Sequence, residues 1–281
     1  MNLPFKIDLS GKVAVVTGGA GVLCSEFAKA LALCGAKVAI LGRTLSKAET
    51  IAEEIAALGG EAIAVSVDVT NSDSVKAAHA EVLERLGPCD ILINGAGGNN
   101  PKATTDKEYY EPGDIDAETK SFFDLDDESV KMVFDLNFSG TLIPTQVFAK
   151  QMVEGGGCII NVSSMNAYTP LTKIPAYSGA KAAVSNFTQW LAVHFSRVGI
   201  RVNAIAPGFF STKQNAKLLW NDDGTPTART AKILAATPMG RFGKEEELTG
   251  ALLYLVSEEA AGFVTGVVLP VDGGFSAYSG V

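Results

Sequence analysis

Tyr177 and Lys181, in the run Pro175-Ala-Tyr177-Ser-Gly-Ala-Lys181, are four residues apart. On a helix they share a face, with Cβ atoms about 5–6 Å apart. A phenol with a pKa near 10 is a poor acid or base at neutral pH. An ammonium one turn away stabilises the phenolate. At about 4 Å and an effective dielectric near 20 the attraction is about 4 kcal/mol, or roughly three pKa units. The expectation is a phenol able to exchange a proton with a carbinol oxygen near pH 7. Ser164 lies upstream, just after the apolar run Cys158–Val162. A hydroxyl at a strand end could hydrogen-bond a substrate carbonyl.

A second chemical feature is Gly18-Gly19-Ala20-Gly21, between the apolar run Val13–Thr17 and a helical pattern from Val22. Glycines there let the chain turn tightly and let a pyrophosphate approach the backbone, and the helix N-terminus supplies N–H groups. The next strand ends Leu41-Gly42-Arg43. A chain selecting NAD usually offers a carboxylate at this point to the ribose 2′-hydroxyl. A guanidinium instead can fork onto a 2′-phosphate. The reading is NADP(H), with NAD left open if Arg43 is only a solvated turn residue.

The elements that must position these groups follow from periodicity. Strands are expected at Val13–Thr17, Ala36–Leu41, Ala62–Val67 and 90–94, with helices at Val22–Leu33, Ser46–Leu58 and Ser72–Leu86 between them. Later helices are expected at Glu128–Val153, Ala176–Val198 and Glu245–Val256, and later strands at Cys158–Val162, Ile200–Ile205 and Val267–Val271. Short β-branched runs alternating with helices predict βαβ units. The fold class is α/β: a doubly wound (Rossmann) parallel sheet in three αβα layers, as one domain over residues 1–281. Two polar excursions interrupt it. Residues 99–127 are too long for an ordinary connection, and 211–236 read as a substrate lid.

Composition narrows the function. The net charge of −8 disfavours nucleic-acid partners. Hydrophobic residues at 47% fit a packed domain, with no run long enough to predict a membrane span. Cys24, Cys34, Cys89 and Cys158 are scattered, as are His79 and His194. No metal site or disulfide frame is expected, and a reducing, cytoplasmic setting without a secretion signal is. The apolar positions of the Tyr177 helix, among them Phe187, Trp190 and Val193, exceed one stripe, which predicts either a deep core helix or a subunit interface.

Taken together, these residues resemble the short-chain dehydrogenase/reductase family along essentially the whole chain. The matching stations are Thr17-Gly18, Asp68-Val69, Asn94-Gly95-Ala96-Gly97, Asn137, Ser164, Tyr177, Lys181, Pro207-Gly208, Thr212 and Asp272-Gly273-Gly274. Ser164 precedes Tyr177 by 13 residues, the family interval. The resemblance implies that Tyr177 is the general acid/base and that Ser164 orients the carbonyl. It makes Lys181 the residue that lowers the tyrosine pKa and holds the ribose, and Asn137 the anchor of a proton-relay water. It places the dinucleotide on Gly18, Gly19, Gly21, Val22, Leu23, Arg43, Asp68, Val69, Asn94, Ala96, Gly97, Tyr177, Lys181, Pro207, Gly208, Phe210 and Thr212. Where the family wants glycine, this chain has Val22 and Cys24; Gly21 is expected to supply the pyrophosphate turn one residue earlier.

Within the family the texture is similar to the group that reduces a hexuronate ketone, D-fructuronate, to D-mannonate. Asn94–Thr105, Phe122–Leu125, Asn161–Asn166, Pro170–Pro175 and the ending from Asp272 carry that likeness. It implies an anionic sugar-acid substrate, for which a protein at −8 needs local cations. Lys102 and Lys173 lead as carboxylate ligands, with Lys213 behind; each alone could equally be a solvated surface lysine. Asn166 and Thr172 are candidate hydroxyl readers. The family implies a homotetramer or homodimer. Alternatives are a gluconate 5-dehydrogenase or other polyol dehydrogenase and, from another class, a non-catalytic dinucleotide-binding regulator.

Overall fold

The structure, a computed structural model, describes residues 6–116, 118–212 and 219–280. Seven strands form one sheet: Val13–Thr17 (β1), Lys37–Gly42 (β2), Glu61–Ser66 (β3), Ile91–Asn94 (β4), Gly157–Val162 (β5), Ile200–Pro207 (β6) and Val268–Val271 (β7). Their order is β3-β2-β1-β4-β5-β6-β7, and every pairing is parallel. The chain winds outward from β1 to β3 and returns to β4 beside β1. The connections after β1 and β4 therefore diverge, opening a crevice at the carboxyl edge.

Helices cover both faces: Val22–Leu33 (α1), Leu45–Ala57 (α2), Ser72–Arg85 (α3), Asp127–Phe134 (α4), Gly140–Gly155 (α5), Pro175–His194 (α6), Ala228–Ala236 (α7), Thr249–Val256 (α8) and the single turn Glu258–Ala261 (α9). One core joins α1, α2 and α8 to the sheet through Phe27, Leu31, Ile55, Ile160 and Leu252. The other joins α3, α5 and α6 through Val82, Leu92, Phe148, Ile159 and Leu191. Each fully buried side chain of this size contributes about 1.5–3 kcal/mol. No helix among the described residues is long and apolar enough to cross a membrane.

The expected helix Glu128–Val153 is interrupted. α4 runs into a π turn, Asp135–Ser139, before α5 begins. Pro144 in α5 has no N–H to give the preceding turn, and the Thr141 hydroxyl donates to the Asn137 carbonyl at 2.8 Å. π turns of this kind gather at functional sites. The excursion at 99–127 is ordered by short-range bonds. Asn100 caps the turn Pro101–Ala103, and Ser121 and Asp124 cap each other around Phe122–Asp124.

Candidate active site

β5 ends in Ser163-Ser164, and α6 starts beneath it with Pro175 at its first turn. The Ser163 hydroxyl bonds the Lys181 carbonyl at 3.2 Å and Ser185 Oγ at 2.7 Å, which anchors α6 to the strand end. Ser164 Oγ accepts the Asn166 N–H at 3.2 Å, so the hydroxyl's own proton can be aimed at a partner. Tyr177 is near enough for Ser164 to help stabilise its phenolate. Ser164 and Tyr177 thus meet as expected.

Lys181 is 3% exposed and donates to the Val162 carbonyl at 2.8 Å, with Nζ 5.7 Å from the centre of the Tyr177 ring. Burial pulls its pKa down to about 8. Burial also raises the Tyr177 phenol above its ordinary value, and the Ser164 bond only partly offsets this. The expected acidified phenol is therefore not the state of the protein alone. Desolvation of the phenolate dominates, and one of the three Lys181 N–H donors is already given to the Val162 carbonyl. A phenol held neutral at pH 7 is a proton donor, the role that ketone reduction requires.

Asn137 sits in the π turn and is fully buried. Its Nδ2 donates to the Gly98 and Val133 carbonyls, both at 2.7 Å, and its Oδ1 accepts the Gly98 N–H at 3.2 Å. A Cβ on Gly97 would lie 2.6 Å from Asn137 Oδ1 and 3.1 Å from Lys181 Nζ. Only a glycine lets the loop after β4 pass so close to both Asn137 and Lys181.

A cleft of about 700 Å³ runs along the carboxyl edge. Of the expected cofactor residues, Gly18, Gly21, Val22, Leu23, Arg43, Val69, Ala96, Gly97, Tyr177, Lys181 and Thr212 line it. Gly18 has φ +64°, and a Cβ there would meet the Ala96 backbone at 2.9 Å. Gly21 is the N-cap of α1 and no side chain caps that helix; its first N–H groups are available to a pyrophosphate. The residues present fit a dinucleotide. Val22, where the family wants glycine, is the first residue of the helix and lines the cleft. Cys24 is accommodated by Gly95, where a Cβ would fall 2.2 Å from Cys24 Sγ. Burial pushes the Cys24 thiol up to about 12, so it stays neutral.

Other expected contacts lie elsewhere. Gly19 packs against Val16 and Ile40 behind the turn. Asn94 is buried and donates to Thr145 Oγ1 and Asn161 Oδ1, both at 2.9 Å, bracing β4 on β5 and α5 instead of lining the cleft. The Asp68 carboxylate accepts the N–H and hydroxyl of Thr70, and the Arg43 charge further lowers its pKa. Pro207 ends β6, and Gly208 passes so close to Asp272 that a Cβ would sit 2.5 Å from its Cα. Phe210 is 7% exposed and lines a separate cavity of about 230 Å³. Sequence reasoning missed Thr44 and Lys47, which line the cleft beside Arg43. The signal was there: Lys47 is four residues beyond Arg43, at the start of α2.

Ala103, in the turn Pro101–Ala103, is fully buried in a small cluster with Val133, Ala176 and Ala180, against which Tyr177 also packs. Lys102 on that turn is exposed, as are Thr172 and Lys173. Asn166 is 5% exposed, and its Oδ1 has no partner among the described residues. Lys213 lies outside the described residues.

Comparison with known proteins agrees with this geometry. The short chain dehydrogenase family matches residues 12–222. An oxidoreductase of Haemophilus influenzae is 57% identical over 100% of this chain and 99% of its own length. An NAD-bound Haemophilus influenza crystal structure, provisionally described as a D-mannonate oxidoreductase, superimposes with TM-score 0.95 at 56% identity, covering both chains fully. A gluconate 5-dehydrogenase from Burkholderia cenocepacia, in complex with NADP and tartrate, gives TM-score 0.81 at 31% identity over 98% of this chain and 99% of its own. With Tyr177 and Lys181 lining one cleft and these matches along the chain, the protein belongs to the short chain dehydrogenase family and is an NAD(P)-dependent oxidoreductase acting on CH–OH groups.

Proposed function

We propose that the protein reversibly reduces the ketone of a hexuronate, D-fructuronate, to D-mannonate. The full-length likeness to the structure described as a D-mannonate oxidoreductase carries this reading. The exposed Lys102 and Lys173 beside the Tyr177 end of the cleft support it as ligands for the sugar carboxylate, with the orphaned Asn166 Oδ1 as a hydroxyl reader. A bound nicotinamide supplies hydride chemistry. Ser164 holds the ketone oxygen, Tyr177 delivers its phenolic proton to that oxygen, and Lys181 restores charge balance at the phenolate. Asn137 keeps the Gly97–Gly98 strand end in place beside the amine.

Arg43, Lys47 and Thr44 favour NADP(H), because two cations and an uncommitted N-cap hydroxyl converge where a 2′-phosphate would lie. The NAD in the Haemophilus structure favours the other dinucleotide as a second substrate of the same cleft. The exposed Trp190 and Val193 of α6, continuing the Phe138–Phe187–Trp190 aromatic row, favour a homodimer or homotetramer through this face. A monomer by light scattering at micromolar concentration removes that part. The insertion at 99–127 and the segment 211–236 would frame the sugar acid, the latter as a lid.

Initial rates with D-fructuronate, tagaturonate, 5-keto-D-gluconate and neutral ketoses, each with NADPH and NADH, test the assignment. D-fructuronate is expected to give the highest kcat/KM. The gluconate 5-dehydrogenase likeness makes 5-keto-D-gluconate the second reading, and a higher kcat/KM for it would replace the first.

A further inference from the structure

Residues 95–98, which follow β4 and line the cleft, are tied at both ends to the same bent helix. At the far end Asn137 of the π turn accepts the Gly98 N–H at 3.2 Å and donates to the Gly98 carbonyl at 2.7 Å. At the near end Asn94 donates to Thr145 Oγ1 of α5 at 2.9 Å. Thr145 in turn donates to the Thr141 carbonyl at 2.7 Å, and Thr141 to the Asn137 carbonyl at 2.8 Å. Asn137, Thr141 and Thr145 recur every four residues and so follow one stripe of the helix. Eight residues of helix rise about 12 Å, and four residues of loop reach at most about 13–14 Å. The loop therefore has little slack. Between its tied ends runs Gly97, where a Cβ would lie 3.1 Å from Lys181 Nζ.

This polar tie is a poor stability device. Asn94, Thr141 and Thr145 are all buried, and Asn94 Oδ1 has no partner among the described residues. An unsatisfied buried acceptor is a cost, and apolar side chains of the same shape would hold β4 on α5 without it. What a hydrogen bond adds is a fixed distance and direction. Here it fixes how far along α5 the start of the loop sits, and the π turn then presents Asn137 to its end. The other Asn94 N–H leads away from the loop: it goes to Asn161 Oδ1 at 2.9 Å, and Asn161 donates to Thr188 Oγ1 of α6 at 2.9 Å. Thr188 is equally buried and lies two turns beyond Lys181.

We propose that Thr145 is a positioning residue for the reaction: by accepting from Asn94 it sets the register of α5 and its π turn against residues 95–98, and so holds Asn137 and Gly97 where they pack beside Lys181. It acts through these neighbours and touches no reacting atom. The proposal does not depend on which ketone is reduced.

Thr145→Val, which keeps the shape and removes the hydroxyl, tests it against Thr145→Ser, which keeps the hydroxyl, and against Thr188→Val, which cuts the chain on its other branch. Thr145→Ala takes the place of the valine variant if that one does not fold. The first readout is backbone hydrogen exchange over residues 95–100 in the protein without dinucleotide. It should quicken about three- to ten-fold in Thr145→Val and stay near wild type in Thr145→Ser and Thr188→Val. The second is the single-turnover rate of ketone reduction, with whichever ketone and dinucleotide give the highest kcat/KM. That rate should fall about 5- to 50-fold in Thr145→Val, with KM for ketone and dinucleotide within about three-fold, and Thr145→Ser should recover it to within about three-fold. Both valine variants should melt about 2–8 °C lower, since each leaves a buried N–H unpaired, yet Thr188→Val should keep its rate within about two-fold. Unchanged exchange over 95–100 in Thr145→Val overturns the proposal whatever the rate does. A rate that falls equally in Thr145→Val and Thr188→Val, in step with their melting temperatures, overturns it too, because the bond is then structural alone.

Discussion

At the dinucleotide end of the cleft, β1, α1, β2 and α2 follow one another through short turns. Glycines 18, 21, 42 and 95 bring main chain to the cleft wall. At the other end the wall comes from Tyr177 and Lys181 on α6, from Leu136 of the π turn and from Thr212 after β6. The first end recognises a pyrophosphate with backbone N–H groups, which are the same in every chain that makes the turn. The second must recognise a particular ketone, and it uses groups that substitution can change. Shared chemistry is therefore built into the backbone, and specificity is left to side chains.

Five substitutions probe that division, from the largest effect to the smallest. Tyr177→Phe removes the proton donor and nothing at the dinucleotide end. Turnover should fall about 10²–10⁴-fold, with dinucleotide affinity by fluorescence titration within about two-fold; equal losses in both would merge the two ends. Arg43→Asp acts only at the other end. Loss of a charged fork and gain of a like charge should move the NADPH/NADH ratio of kcat/KM about 10- to 100-fold toward NADH, and an unchanged ratio removes Arg43 as a phosphate ligand. Lys102→Ala and Lys173→Ala should raise KM for D-fructuronate about three- to ten-fold while leaving a neutral ketose unaffected. Equal effects on both substrates would show that the lysines are not carboxylate ligands.

Lys181→Met gives the smallest energy and the clearest sign. Burial lowers the folded pKa to about 8, below the unfolded value near 10.5. The charged amine therefore costs stability at pH 7, about 3 kcal/mol by the pKa difference. Loss of the bond to the Val162 carbonyl offsets part of this. The variant should be inactive yet about 1 kcal/mol more stable at pH 7 without dinucleotide. Wild-type stability should rise between about pH 8 and 10.5, where the unfolded chain still binds the proton and the folded one does not. The variant should lose that rise. Denaturant melts across this range decide it.

The dinucleotide end was legible because its signals are local. A glycine-rich turn after Val13–Thr17 and an arginine after β2 are read from adjacent residues, and the strands fall within a residue or two of expectation. Asn94 was misplaced because an asparagine at a strand end looks the same whether it faces a ligand or, as here, Asn161 across the sheet. The π turn at Asn137 was invisible because one extra residue in a helix leaves the apolar period nearly intact. The phenol's raised pKa was missed because spacing reports the nearby charge and not the burial that opposes it. The Asn94–Thr145 bond joins residues that no local pattern connects.

The phenol's own titration is the most direct test of the central claim. Ultraviolet difference spectra of wild type minus Tyr177→Phe should show, without dinucleotide, a tyrosine that ionises above its ordinary value near 10. Saturating oxidised dinucleotide should bring that ionisation down, and should fail to do so in Lys181→Met. A Tyr177 that titrates at the same pH with and without dinucleotide, and with and without the amine, would contradict the assignment of Tyr177 as the acid and Lys181 as the group that tunes it.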